Sequence, residues 1–296
     1  MRQLGFIGLG TMGAPMALNL LKHGFEVTVA ANSHAATRLV AAGARTAASP
    51  AAIAAGSECV ITMLPEPADV EAVVTRPDGI AAGIRRDAVY IDMSTIDPDT
   101  TRRIGAVIAQ RGAHMVDCPV GKTAEHAVLG TLTLLAGGPE HVVERVRPVL
   151  AAMGTDFFYC GPLGAGVTIK LINNLLVASI HAANVEALVA GVSAGLAPEL
   201  MLSVFKTTMA WNNGLANGMP KRGLVGNFAP GFKLKLGLKD ARLARAMSER
   251  SGLKTPVADG TVATLAECLA AGYGENDLAA MLKLREQAAG IEVRLK

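Results

Sequence analysis

Gly5-Phe6-Ile7-Gly8-Leu9-Gly10-Thr11-Met12-Gly13 is the stretch on which the reading of this chain turns. Leu4 to Gly8 is a short apolar run of the kind that forms a buried strand, and Met16, Leu20 and Leu21 follow at helical spacing. Between them the glycines fall as G-x-G-x-x-G. Gly8 permits a tight turn, Gly10 lets the backbone approach a pyrophosphate, and Gly13 lets helix and strand pack closely, with the phosphates facing the helix N-terminus. Thr11 and Met12 complete the loop and belong with the glycines in the expected cofactor-binding set. The glycine pattern by itself is weak. The strand before it and the helix after it make it specific for a dinucleotide.

A second strand, Phe25 to Ala31, ends where a residue should meet the adenosine ribose. Sites selective for NAD place Asp or Glu there, but this chain reads Ala30-Ala31-Asn32-Ser33-His34. Without a carboxylate nothing repels a 2'-phosphate, and Asn32, Ser33, His34 and Arg38 can donate hydrogen bonds to one. The cofactor is therefore expected to be NAD or NADP, with NADP favoured; an uncharged pocket still admits NAD.

Further along, strands and helices alternate. Helices are expected near 34–42, 50–55, 68–74 and 98–110, and strands at 59–63, 88–92 and 113–117. That spacing implies a parallel, doubly wound α/β sheet of Rossmann type, which binds ligands beyond the carboxyl ends of its strands. Leu64-Pro65 and Ser94-Thr95 stand at those ends, where Ser94 or Thr95 also suits a plain helix N-cap. After Asp117 comes Cys118-Pro119-Val120-Gly121-Lys122-Thr123. A P-loop would need glycine at 116, which is Val116. Lys122 and Thr123 still end a strand at the ligand edge and are expected to face what binds there; the alternative for Lys122 is a solvated side chain. Strands at 131–136 and 155–160 around a helix at 139–153 complete a dinucleotide-binding domain over 1–161.

Leu163 to Gly195 reads as one long helix joining the two domains, entered through Gly164 and Gly166 and free of proline until Pro198. Val167, Leu171, Ile172, Leu175, Leu176, Ile180, Val185, Leu188, Val189 and Val192 lie nearly all round it, which predicts burial on most sides. Lys170, Asn173, Asn174, His181, Asn184 and Glu186 interrupt the apolar run and argue against a membrane span. Lys170 and Asn174 are four residues apart and share a face. A lysine near the start of an apolar helix is ordinarily a snorkelling surface residue; the glycine entry and Asn174 favour chemistry. Beyond it, helical patterns at 198–208, 232–251, 256–271 and 277–289 predict an all-α second domain, 162–296, for substrate binding and oligomerisation. Lys235 and Lys239 share a face there.

The 296 residues are 51% hydrophobic with a formal net charge of +3 and no basic run longer than two residues, which points away from nucleic acid and from anionic membranes. The four cysteines lie far apart without C-x-x-C, and the histidines lack metal-ligand spacing, so neither a disulfide framework nor a metal site is expected. Free thiols and the immediate start of an apolar strand after Met1-Arg2-Gln3 fit a cytoplasmic protein.

The chain resembles the β-hydroxyacid dehydrogenases, the family of 3-hydroxyisobutyrate dehydrogenase and tartronate semialdehyde reductase. Four motifs carry the resemblance: the Gly5 to Gly13 loop, Asp117-Cys118-Pro119-Val120 with Gly130-Thr131-Leu132, the stretch from Gly164 to Asn174, and Leu238-Lys239-Asp240. The resemblance implies that Lys170 is the catalytic acid/base and that Asn174 helps hold the substrate, with Asn173 beside it in the substrate set. It implies cofactor contacts for Leu64, Thr95 and Lys239. Most members carry Ser-Gly-Gly where this chain has Gly121-Lys122-Thr123. The sulfolactaldehyde reductase subgroup is most similar, with Gly-Arg-Thr there and the arginine gripping a sulfonate; Lys122 keeps the charge without the planar fork. That subgroup also has an acid at the end of the second strand, absent here. The implied reaction is reversible hydride transfer to a small anionic aldehyde, such as sulfolactaldehyde or succinic, tartronate or methylmalonate semialdehyde, by a homodimer or homotetramer. An acid/base lysine works best with its pKa brought towards about 7 to 8, and Lys239 is a candidate for the cation that brings it there. An imine reductase and a non-catalytic dinucleotide-binding module are the alternatives, and Lys170 counts against both.

Overall fold

The structure is a computed structural model that describes every residue except Asn32, His34 and Lys296. Two compact units divide the chain, Met1–Leu171 and Ile172–Lys296.

In the first unit the strands are β1 (Gln3–Ile7), β2 (Glu26–Ala30), β3 (Arg45–Ala47), β4 (Cys59–Thr62), β5 (Val89–Asp92), β6 (His114–Asp117), β7 (Val120–Gly121), β8 (Leu132–Gly137) and β9 (Gly154–Gly161). The helices are α1 (Gly13–Lys22), α2 (Ala36–Ala41), α3 (Pro50–Ala55), α4 (Pro67–Thr75), α5 (Ile80–Gly83), α6 (Pro98–Gln110), α7 (Ala124–Leu129) and α8 (Glu140–Ala151). They form one sheet in the order β3-β2-β1-β4-β5-β6-β8-β7, with β9 beside β8. From β3 to β6 every pairing is parallel. Both faces are covered, and the residues alternate between them. Leu4, Phe6, Cys59, Ile61, Val89, Ile91 and Val116 join one core cluster; Ile7, Val60, Tyr90 and Met115 join another. Burial on both faces makes these strands continuous apolar runs.

The parallel order expected of the sheet ends at β6. β8 runs antiparallel to both β6 and β7. Pro119, which has no N–H to give a ladder, breaks β6 from β7, and the chain returns through α7 instead of crossing over a sheet face.

α9 (Ala165–Ser193) is a single helix of 29 residues that begins in the first unit and continues in the second. By length and composition it is able to cross a membrane. Its apolar residues are not buried on most sides, as their all-round distribution suggests. Ile169, Ile172, Leu176 (58% exposed) and Val177 form an exposed row, while Val185, Leu188 and Val189 enter the core of the second unit. That core is completed by α10 (Pro198–Lys206), α11 (Leu234–Arg250), α12 (Pro256–Ala270) and α13 (Met281–Ala289), with short π and 3-10 turns between 214 and 225 and at 278–280. The described residues of this unit hold no strand, and Lys233 and Asp277 form an isolated bridge.

Candidate active site

The glycine loop has the geometry its spacing predicts. Gly8 has φ +98°, and a Cβ on it would lie 2.3 Å from the Met63 carbonyl oxygen. A Cβ on Gly13 would lie 1.9 Å from the Gly8 carbonyl oxygen, so only glycine lets α1 start this close to β1. A Cβ on Gly10 would meet nothing within 4 Å, and Gly10 and Thr11 are exposed. No side chain caps the first turn of α1, and its N-cap is Met12. An open backbone shelf at an uncapped helix N-terminus fits a dinucleotide pyrophosphate. Of the residues expected at the ribose, Ser33 is half-buried, Arg38 is exposed on α2, and Asn32 and His34 lie outside the described residues.

At the carboxyl ends of β4 and β5 a buried network holds the next loops. Thr62 Oγ1 donates to Asp92 Oδ1 at 2.7 Å and lies 2.7 Å from the Tyr90 hydroxyl; the Ser94 N–H reaches the same Asp92 oxygen at 3.1 Å. Ser94 Oγ accepts the Leu64 N–H at 2.9 Å, which fixes the loop carrying Leu64 beside the one carrying half-buried Thr95. Neither Ser94 nor Thr95 caps α6. Asp97 does so, accepting from the Thr100 N–H at 2.9 Å, because it stands directly before Pro98 at the first helical position.

Lys122 has a left-handed backbone, φ +74°, a conformation that favours glycine. Its ammonium donates to the Thr131 carbonyl at 2.8 Å and to Asp156 Oδ2 at 2.6 Å. It is thus tied across the starts of β8 and β9 and is not simply solvated. The lysine in turn holds the Asp156 carboxyl below its usual range. Thr123 precedes α7, with its Oγ1 3.0 Å from His126 Nδ1.

On α9, half-buried Lys170 lies one turn before Asn174. Asn174 Oδ1 accepts from Asn173 Nδ2 at 3.1 Å, and Asn174 Nδ2 donates to Asp240 Oδ2 at 2.7 Å. Asp240, 2% exposed, also lies 3.0 Å from Lys239 Nζ through its other oxygen. Asn173, Asn174, Asp240 and Lys239 therefore form one chain of contacts in the second unit. Lys235 turns elsewhere and pairs with Glu275.

Three carboxylates at these positions were not among the expected site residues. Asp240 had a signal: it stands among Leu234, Gly237, Leu238, Ala241 and Ala244 on the buried face of α11, where an acid needs a partner. Asp117 and Asp156 had none, since their partners are 47, 50 and 34 residues away.

Two family models divide the chain between them. Residues 3–161 match the NAD binding domain of 6-phosphogluconate dehydrogenase, and residues 164–285 match the NAD-binding domain of NADP-dependent 3-hydroxyisobutyrate dehydrogenase. The chain is 36% identical to the 3-sulfolactaldehyde reductase of Escherichia coli over 100% of both chains. It belongs to the 3-hydroxyisobutyrate dehydrogenase-like family of β-hydroxyacid dehydrogenases. The enzyme is an NAD(P)-dependent oxidoreductase. It is also 36% identical to the 2-(hydroxymethyl)glutarate dehydrogenase of Eubacterium barkeri, over 98% of this chain and 97% of the relative. Among solved structures it resembles the 3-hydroxyisobutyrate dehydrogenase of Mycobacterium tuberculosis described with L-serine, with TM-score 0.88 and 30% identity, covering 96% of this chain and 99% of that one.

Proposed function

We propose that the enzyme reversibly reduces a small anionic aldehyde to the hydroxyacid, with Lys170 as its proton donor and acceptor. The observation that carries this is the placement of Lys170 one helical turn before an asparagine whose amide is oriented by Asp240. Nicotinamide, when bound, supplies or takes the hydride. As the carbonyl carbon gains that hydride, negative charge grows on its oxygen, and the Lys170 ammonium stabilises the charge and gives up a proton. In the oxidising direction the neutral amine takes the alcohol's proton. Asn174 offers its amide to the substrate oxygen, and Asn173 holds that amide from its other end. Gly8, Gly10, Thr11, Met12, Gly13, Leu64, Thr95 and Lys239 form the cofactor set, to which Asn32 and Ser33 are assigned at the ribose. The missing carboxylate after β2 favours NADP.

Lys122 and Thr123 are proposed to receive the substrate's acidic group. Lys122's bond to Asp156 is an exposed ion pair of little strength, which an arriving anion displaces. Two of the relatives are named for a sulfolactaldehyde and a glutarate, both anions with charge remote from the reacting carbon. That supports sulfolactaldehyde or a dicarboxylic semialdehyde as the substrate class. The exposed row on α9, with exposed Leu196, Leu200 and Val204 after it, supports contact with a second copy in a homodimer or homotetramer. Four free thiols fit a reducing cytoplasm.

Initial rates with NADH and NADPH against sulfolactaldehyde, succinic, tartronate and methylmalonate semialdehydes test the proposal. It expects the highest kcat/KM with NADPH and a substrate of remote charge. Turnover of none of these aldehydes with either nucleotide contradicts it.

A further inference from the structure

Asp117 ends β6 fully buried, and both its carboxylate oxygens are used on the first turn of α9. Oδ1 accepts the Gly164 N–H at 2.7 Å and Oδ2 accepts the Val167 N–H at 2.8 Å. Gly164 is the N-cap, because its carbonyl accepts the first helical bond from Thr168, and Val167 is the third helical residue. A capping box satisfies these same two donors with two side chains of the helix itself. Gly164, at φ +93°, has no side chain to contribute, so a single carboxylate on a neighbouring strand does both tasks. The negative charge also faces the positive end of the helix dipole. Close contacts pin the same turn onto β8: a Cβ on Gly166 would lie 2.1 Å from the Leu135 carbonyl oxygen, and one on Gly137 would lie 2.8 Å from the Gly166 nitrogen.

Lys170 follows Gly164 by six residues, about 9 Å of helical rise, with no intervening proline or bend. Its height above the carboxyl edge of the sheet is therefore set where α9 is fastened. We infer that Asp117 is the positioning residue for Lys170, fixing the ammonium at the sheet edge by clamping Gly164 and Val167. This rests on the acid/base role proposed for Lys170.

A carboxylate in this place is open to titration. Burial is the main influence and raises the Asp117 pKa to about 6, against the two N–H bonds that favour the charged form. Asp92 stands beside it on β5 in the parallel register and pushes the same way. Cys118 after β6 and Cys160 on β9 also feel its charge, and Arg102 of α6 lies against Gly164. Protonation converts one acceptor to a hydroxyl and releases one end of the clamp.

Hydrogen exchange on the wild-type enzyme, corrected for the intrinsic rate, is the direct test, and it does not depend on the role of Lys170. Protection of the Gly164 and Val167 amides should fall as pH drops through about 6, while β1 and β4 amides stay protected; protection that does not change overturns the inference. Asp117→Asn should bind NADPH within about threefold of wild type yet lose about 10²-fold in kcat, the cost of a misplaced catalytic group. In the reducing direction its acid limb should vanish. Asp92→Asn, which removes the neighbouring charge, should move that limb to lower pH, and it decides the matter if Asp117→Asn does not fold. Unchanged kcat in a folded Asp117→Asn, or an unmoved limb in Asp92→Asn, overturns the inference. Lys170→Ala run alongside separates the two ideas. Full activity there removes the acid/base role, whereas loss there with normal Asp117→Asn removes only the positioning role.

Discussion

Asn174 on α9 donates its amide to Asp240 on α11 across 2.7 Å, between positions 66 residues apart in sequence. The same carboxylate holds Lys239 at 3.0 Å. A proposed substrate residue and a proposed cofactor residue thus share one buried acid, so Asp240→Asn should disturb both. Losing one member of a buried pair costs about 3 kcal/mol, read by urea denaturation, and kcat/KM should fall about 10- to 100-fold as Asn174 and Lys239 lose their common anchor. A variant with wild-type kcat/KM would show that the contact is structural only.

The second and third glycines of the loop should separate binding from folding. Gly10→Ala has room for its methyl group and should keep its melting temperature while weakening NADPH. Gly13→Ala would drive a Cβ to 1.9 Å from the Gly8 carbonyl and should destabilise the fold by several kcal/mol, on the order of 3, as overpacking does. Equal effects of the two on stability would contradict the geometry.

Nucleotide preference should follow charge after β2. Ala31 is exposed there, and Ala31→Asp would restore the carboxylate that selects NAD. The ratio of kcat/KM for NADPH to that for NADH should fall at least about tenfold, equivalent to ~1.4 kcal/mol of repulsion. An unchanged ratio would show that this position does not meet the ribose.

Asp117 also fixes the sign of a stability change with pH. Its folded pKa of about 6 stands above the ordinary value of 3.8, so the folded state binds the proton more tightly than the unfolded chain does. The associated stability is complete below about 4 and is lost as pH rises through about 6. On acidification from pH 7 to pH 4, wild type should gain on Asp117→Asn by about 2 kcal/mol, because pH 4 still lies at the unfolded value and the full shift is not yet expressed. Denaturation of both proteins at both pH values checks this, and a gain by the variant would reverse the sign.

What the sequence disclosed and what it concealed divide along physical lines. The glycine loop, β1, β4, β5 and helices such as Pro50–Ala55 and Pro98–Gln110 were legible because turn chemistry, apolar runs and proline starts act within a few residues. The reversed direction of β8 was not, because alternating burial has no arrow. The exposed row on α9 reads as core in the sequence, since Ile172 and Leu176 carry the same apolar signature whether a helix covers them or they stand exposed. Lys170 and Asn174 stand out in the sequence because their i, i+4 spacing puts them on one helix face. Asp156, which holds Lys122, and Asp117, which holds the start of α9, were missed because a polar contact between segments distant in sequence leaves no local pattern.

The central claim is a proton carried by Lys170, and single-turnover reduction by Lys170→Ala with NADPH already bound tests it most directly. The hydride-transfer rate should fall about 10²- to 10⁴-fold while the NADPH dissociation constant stays within a few-fold of wild type. A variant that binds NADPH normally and reduces the aldehyde at near the wild-type rate would contradict it.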